Sequence, residues 1–213
     1  MFMTLEGGEG AGKTTQIVKL GGYLSERGVG CILTREPGGT DIGKRIRALL
    51  LNPDNAGMAP ETELLLYMAD RAEHVSAVVR PALAAGKTVL CDRFFDATLV
   101  YQGTARGLSP EWIARLHALV FAGLQPDLTL LLDVPVEVGL ARARRQLEKG
   151  ARSSQESRFE DETLDFHQRV RKGYLELARQ NPERFRMIDA AQDESRVRDD
   201  IRSAVEGFLK QKK

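Results

Sequence analysis

The chain has 213 residues, 42 % hydrophobic and 29 % charged, with a formal net charge of +1. This is ordinary composition for a globular enzyme of one domain, with at most an inserted segment, and long enough to bury a substantial core. The near-neutral balance excludes a global electrostatic pull toward nucleic acid or a membrane surface, so any electrostatic function must come from local clusters.

In chain order, residues 2–5 read as a short buried strand. Gly7-Gly8-Glu9-Gly10-Ala11-Gly12-Lys13-Thr14 follows and fits G-x-x-x-x-G-K-[ST]. A helical pattern then opens at Thr14-Thr15 and runs to about Arg27, before Gly28. Further strands are expected at 29–34, 88–92, 128–134 and 185–189, mostly as continuous apolar runs of the kind fully buried parallel strands show. Helical patterns cover about 40–51, 60–85, 109–122, 136–148, 160–180 and 194–209, with another at 95–103. Thr40, Ser109 and Asp193 stand at N-cap positions, and Pro110 follows Ser109 at a favoured first-turn position. Strands alternating with helices predict right-handed βαβ units, hence an α/β three-layer fold with a five-stranded parallel sheet covered on both faces. The polar stretch at about 148–158 is the candidate mobile insert.

The two cysteines, Cys31 and Cys91, lie in apolar runs without metal-ligand or C-x-x-C spacing and read as buried thiols. The chain opens directly on a strand, and no apolar run reaches transmembrane length. A reduced, cytoplasmic setting is the expectation.

A strand, a glycine-rich turn and a helix are what a phosphate-binding loop needs. Backbone N–H groups cradle phosphate oxygens, and the helix dipole favours their charge. Lys13 reaches the β- and γ-phosphates, and the Thr14 hydroxyl ligates Mg²⁺. Glu9 is unusual, a carboxylate inside a loop built for anions. Ligands of such sheets bind at the carboxyl ends of the strands. Four segments begin there: the loop, Arg35-Glu36-Pro37-Gly38-Gly39-Thr40, Asp92-Arg93-Phe94 and Asp133-Val134-Pro135. Asp92 can reach the Mg²⁺ shell, and Arg93 can clamp a phosphate bidentately; a local ion pair is the plainer alternative.

From Arg142 to Arg158 stand six cations (Arg142, Arg144, Arg145, Lys149, Arg152, Arg158) against two acids, Glu148 and Glu156, a balance of +4. Such a run reads either as a solvated helix face or as a lid whose arginines stabilise the charge of a transferring phosphoryl group. Tyr67, Arg71 and His74 share one helix face at i, i+4, i+7. They could hold a planar base, although from spacing alone a buried aromatic beside a surface Asp70–His74 pair is the simpler reading.

Four motifs together resemble bacterial thymidylate kinases, nearly end to end. They are Glu6 to Thr15, Thr34-Arg35-Glu36-Pro37-Gly38-Gly39-Thr40, Asp92-Arg93-Phe94 with Tyr101-Gln102-Gly103, and Pro126-Asp127 with Leu132-Asp133-Val134. The resemblance implies an ATP:dTMP phosphotransferase that makes dTDP with ATP and Mg²⁺ in the supply of dTTP for DNA synthesis, as one domain over 1–213 with a lid at about 142–158. It implies a homodimer, with the apolar helix near 60–85 or 109–122 at the interface, and no nucleic-acid or membrane partner.

The resemblance also implies residue roles. Gly7, Gly8, Glu9, Gly10, Ala11, Gly12, Lys13, Thr14 and Thr15 would hold the ATP phosphates, with Thr14 and Asp92 at the metal. Glu9 would face the acceptor's 3′-hydroxyl, Pro37 the base, with Glu36 beside it. Tyr67 would stack on thymine, Arg71 would bond its carbonyl, and Thr98 and Gln102 would lie at its edge. Tyr101 would pack on the sugar where a 2′-hydroxyl would clash, and Arg93 would hold the dTMP phosphate. Lys13, Arg93, Arg142, Arg145, Arg152 and Arg158 form the expected catalytic set. The sequence departs from the family's common pattern at Tyr67, Phe94 and Ala97. It also has Gly10, not arginine, after the loop's acid, so lid arginines would supply that charge. A kinase for AMP, GMP or UMP is the nearest alternative. A nucleotide-dependent switch would need a guanine-reading N-K-x-D segment, which the sequence lacks.

Overall fold

The computed structural model describes residues 1–149 and 154–211. Five strands, β1 (Phe2–Glu6), β2 (Cys31–Arg35), β3 (Thr88–Asp92), β4 (Leu128–Asp133) and β5 (Phe185–Asp189), form one sheet in the order β2-β3-β1-β4-β5. Every pairing is parallel. All carboxyl ends therefore meet at one edge, and β1, which carries the glycine-rich loop, lies at the centre.

Strand alternation sorts the core into two layers. Met3, Leu5, Leu90, Leu130, Leu132 and Ile188 pack under α1 (Lys13–Ser25) and α9 (Glu194–Gln211). The opposite face carries Phe2, Val89, Cys91, Leu131 and Phe185. It is covered by α2 (Asp41–Leu51), α3 (Pro60–His74), α6 (Pro110–Phe121) and α8 (Leu164–Gln180). The central strands β1, β3 and β4 are buried almost throughout, as their continuous apolar runs require. The edge strands β2 and β5 are only partly covered, with Leu33 and Met187 exposed and Cys31 half-buried, because no strand among the described residues pairs their outer sides.

The caps fall where the residues place them. Thr40 Oγ1 accepts the Gly43 N–H at 2.9 Å, Ser109 Oγ accepts the Trp112 N–H at 3.2 Å, and Asp193 Oδ1 accepts the N–H groups of Ser195 and Arg196, each at 3.0 Å. The expected single helix over 60–85 is broken: α3 passes into a π-helical turn at Val75–Val79 and ends in α4 (Arg80–Ala84). The segment after β3 likewise starts as α5 (Phe95–Thr98) and continues as a π-helix over Leu99–Ala105. α7 spans Val136–Glu148, as the periodicity requires.

His117 on α6 lies inside the second layer, stacked on Phe95 at 3.7 Å between centroids and tilted against Phe121 at 4.9 Å. Its Nε2 bonds the Leu124 carbonyl at 2.9 Å. Burial lowers its pKa to about 4 from the usual 6.5. The unfolded chain takes up this proton below pH 6.5 and the folded chain does not, so the contribution is present above 6.5 and is lost as pH falls toward 4. Urea unfolding at pH 7 and pH 5 is expected to show His117→Phe lacking about 2 kcal/mol of the acid destabilisation of the parent chain.

Candidate active site

The loop after β1 is shaped by close backbone approach. Gly10 has φ +67°, and a Cβ there would lie 1.9 Å from the Gly139 carbonyl oxygen of α7. No side chain fits at this position, which explains why the loop has no arginine after Glu9. Lys13 opens α1, and its buried ammonium donates to the carbonyls of Gly7 (3.1 Å) and Gly8 (2.8 Å). Burial, and next the charge of Arg93, lower its pKa to about 8; an anion in the loop would oppose that shift. Thr14 Oγ1 donates to Asp92 Oδ2 at 2.7 Å, bringing two hard oxygen donors together at the mouth of the loop.

Arg93 follows β3 in the left-handed region, with φ 68°. Its Nη2 donates to Glu9 Oε1 at 2.8 Å, and the Tyr101 hydroxyl donates to the same oxygen at 2.9 Å. The guanidinium also stands 4.9 Å from the Tyr101 ring centroid. The odd carboxylate of the loop thus joins the Asp92-Arg93-Phe94 motif.

The third part of the site is built on a buried carboxylate. Glu36 Oε2 accepts from Arg71 Nε at 2.7 Å and Glu36 Oε1 bonds His74 Nδ1 at 2.7 Å. His74 Nε2 bonds Thr34 Oγ1, and Arg71 Nη2 donates to Thr98 Oγ1 at 2.9 Å. Asp70 is not on the surface with His74: it is buried, and its Oδ1 accepts the Gly38 N–H at 2.9 Å. Burial, and next the charge of Glu36, raise its pKa to about 6. The Glu36–Pro37 peptide bond is cis.

These groups line one cleft of about 550 Å³. Its wall includes Glu9 to Thr15, Glu36, Pro37, Tyr67, Arg71, Asp92, Arg93, Thr98, Tyr101 and Gln102. Gly7 and Gly8 instead border a small cavity behind the loop. The arginines expected to form a lid are not gathered as a set among the described residues. Arg142 is spent on the carbonyls of Ala190 (2.7 Å) and Ala191 (3.1 Å). Arg145 lies exposed on α7, and Arg152 falls outside the described residues. Arg158 is buried, donating to the Leu50 carbonyl at 2.6 Å and to Glu63. Glu63 has no exposure and needs cations, and it also accepts from Gln102 (2.8 Å) and Arg106 (3.3 Å). A charge count cannot tell such a structural partner from a mobile one.

Arg47 escaped the sequence reading although it lines the cleft. It donates to the Pro37 carbonyl at 3.1 Å and forks onto Glu156, tying α2 to the base of the 142–158 segment. Its only sequence signal is a cation on a helix directly after the Glu36-Pro37 turn.

Comparison with known proteins agrees with this geometry. A family profile described as thymidylate kinase matches residues 5–201. The chain is 57 % identical over 190 residues to a thymidylate kinase of Desulfosudis oleivorans, covering 89 % of each protein. It is 52 % identical to that of Desulfovibrio desulfuricans over its whole length and 98 % of the relative's. The crystal structure of thymidylate kinase from Ehrlichia chaffeensis superposes with a TM-score of 0.75 at 34 % identity, covering 96 % of this chain and 98 % of that one. The chain belongs to the thymidylate kinase family.

Proposed function

We propose that this chain transfers the γ-phosphoryl group of ATP to dTMP, giving dTDP and ADP, and so feeds the dTTP supply for DNA synthesis. The observation that carries this reading is the shared wall of the cleft. The glycine-rich loop with Lys13 lines the same cleft as Tyr67, Arg71 and Thr98, and so does the Glu9–Arg93 pair.

The acceptor needs no strong general base, because a phosphate monoester with a second pKa near 6 is already largely dianionic at neutral pH. The barrier the protein can lower is repulsion between two polyanions. Lys13 and the loop's N–H groups hold the donor phosphates, and Arg93 holds the acceptor phosphate. Thr14 Oγ1 and Asp92 Oδ2, 2.7 Å apart, are oxygen donors of the type Mg²⁺ takes. Bound Mg²⁺ would offset charge on the donor phosphates. Tyr67 would stack on thymine, Arg71 would bond its carbonyl with Glu36 fixing the guanidinium, and Tyr101 would exclude a 2′-hydroxyl. Gln102, held on Glu63, would shape the base edge. Of the 142–158 segment, Arg145 and Arg152 are the candidates to approach the phosphates; Arg142 and Arg158 support the fold around them.

The whole of 1–213 is read as one kinase domain with that segment as its lid. A cytoplasmic setting is supported by two unpaired thiols and by the lack, among the described residues, of a helix long and apolar enough to cross a membrane. A homodimer is supported by apolar side chains that nothing among the described residues covers: Leu119 is 81 % exposed and Val120 54 % on α6, and Leu65 56 % on α3.

A coupled ADP-release assay over dTMP, AMP, GMP and UMP tests the substrate. The expected result is turnover with dTMP and little with the three others; turnover led by any of those three contradicts the assignment. Arg93→Ala is expected to lower kcat/KM for dTMP roughly 10²-fold or more, as truncating one partner of a buried charge pair does. Lys13→Ala is expected to lose most turnover while circular dichroism stays unchanged.

A further inference from the structure

We propose that Glu6 and Tyr174 are positioning residues for the acceptor phosphate: together they hold the left-handed turn at Arg93 and fix the direction of its guanidinium. The proposal rests on the reading of Arg93 as the phosphate-holding group.

Arg93 carries a full side chain at φ 68°, where only a surrounding structure that over-determines the backbone keeps such a residue. Three bonds do so. The Arg93 N–H donates to the Leu5 carbonyl at 3.0 Å, and its own carbonyl accepts the Cys91 thiol at 3.0 Å. The next N–H, that of Phe94, donates to Glu6 Oε1 at 2.7 Å. Glu6 ends the central strand β1 and has no exposure, an expensive place for a carboxylate unless its oxygens are used.

The other oxygen is used as well. The Tyr174 hydroxyl donates to Glu6 Oε2 at 2.7 Å, and the Tyr174 oxygen accepts from Arg93 Nη1 at 3.2 Å. Glu6 therefore reaches Arg93 twice, through the backbone of the next residue and through the tip of its side chain. Arg93 Nη2 is left to Glu9. Two acids that flank Gly7 and Gly8 thus set the guanidinium from opposite sides.

Burial, and next the charge of Asp96, raise the Glu6 pKa to about 8. The group serves as a hydrogen-bonding hub as much as a charge, so glutamine is its conservative replacement. Tyr174 belongs to α8, whose Gly173 packs so closely on the π-helical segment that a Cβ there would lie 3.0 Å from Thr104 Oγ1. The Tyr174 ring meets that of Tyr101 edge-on at 6.3 Å. The helix that follows the 142–158 segment is thereby tied directly to the acceptor half of the cleft.

Steady-state kinetics of the full chain test this, varying dTMP at saturating ATP and ATP at saturating dTMP. Tyr174→Phe loses only a hydroxyl, and is expected to raise KM for dTMP about tenfold while KM for ATP stays unchanged and the melting temperature falls by only a few degrees. Glu6→Leu is expected to raise it further, and Glu6→Gln to recover most of that loss. Should Glu6→Leu fail to fold, Tyr174→Phe and Glu6→Gln still decide. An unchanged dTMP KM in Tyr174→Phe, or an equal rise in both KM values, overturns the proposal. If Arg93→Ala also leaves dTMP KM unchanged, the reading of Arg93 itself fails. If Arg93→Ala raises it and Tyr174→Phe does not, only the positioning role fails.

Discussion

Arg93 stands at the end of β3 with a left-handed backbone, and its guanidinium lies between Glu9 of the phosphate loop and Tyr174 of α8. A kinase acting on a monophosphate must bring two polyanions within bonding distance, and the repulsion has to be met by charges that are already in place. A parallel sheet gives a direct solution. Its carboxyl ends share an edge, so the glycine-rich loop after β1 and Arg93 after β3, proposed to hold donor and acceptor phosphates, come from neighbouring strands and need no mobile part to face each other.

Three buried carboxylates organise the arginines around the proposed acceptor site. Glu36 holds Arg71, Glu63 holds Arg158 and Arg106, and Glu6 holds Arg93 through Tyr174. Buried ion pairs repay little or none of their desolvation cost as net stability. What they supply here is direction, because each of these guanidiniums is bonded at two or more of its nitrogens, which leaves it one orientation. The cleft is thus rigid where it would read base and phosphate.

The sequence made the scaffold legible to a large extent. Apolar runs, most of them continuous, located all five strands, and β3 and β5 agree to the residue. Thr40, Ser109 and Pro110 marked helix starts because capping is a local interaction. The phosphate loop, Arg93 and Glu36 were legible because each follows a strand end. Two kinds of feature were not. The π-helical turns at Val75–Val79 and Leu99–Ala105 have an ordinary helical pattern in sequence, so periodicity alone does not separate them from α-helix. The partners of buried acids also join residues far apart in the chain. Arg158 looked like a lid arginine because its charge was visible and Glu63, 95 residues away, was not recognisable as its partner. His74, read as half of a surface pair with Asp70, is instead fully buried, and its partner is Glu36.

The central claim is that the acceptor's phosphate is bound by Arg93. Calorimetric titration of dTMP and of thymidine, which lacks the phosphate, into the parent chain and into Arg93→Ala tests it most directly. The account predicts that dTMP binds the parent chain far more tightly than thymidine does, and that Arg93→Ala removes most of this difference while thymidine binding is preserved. An advantage of dTMP over thymidine that survives intact in Arg93→Ala would contradict it.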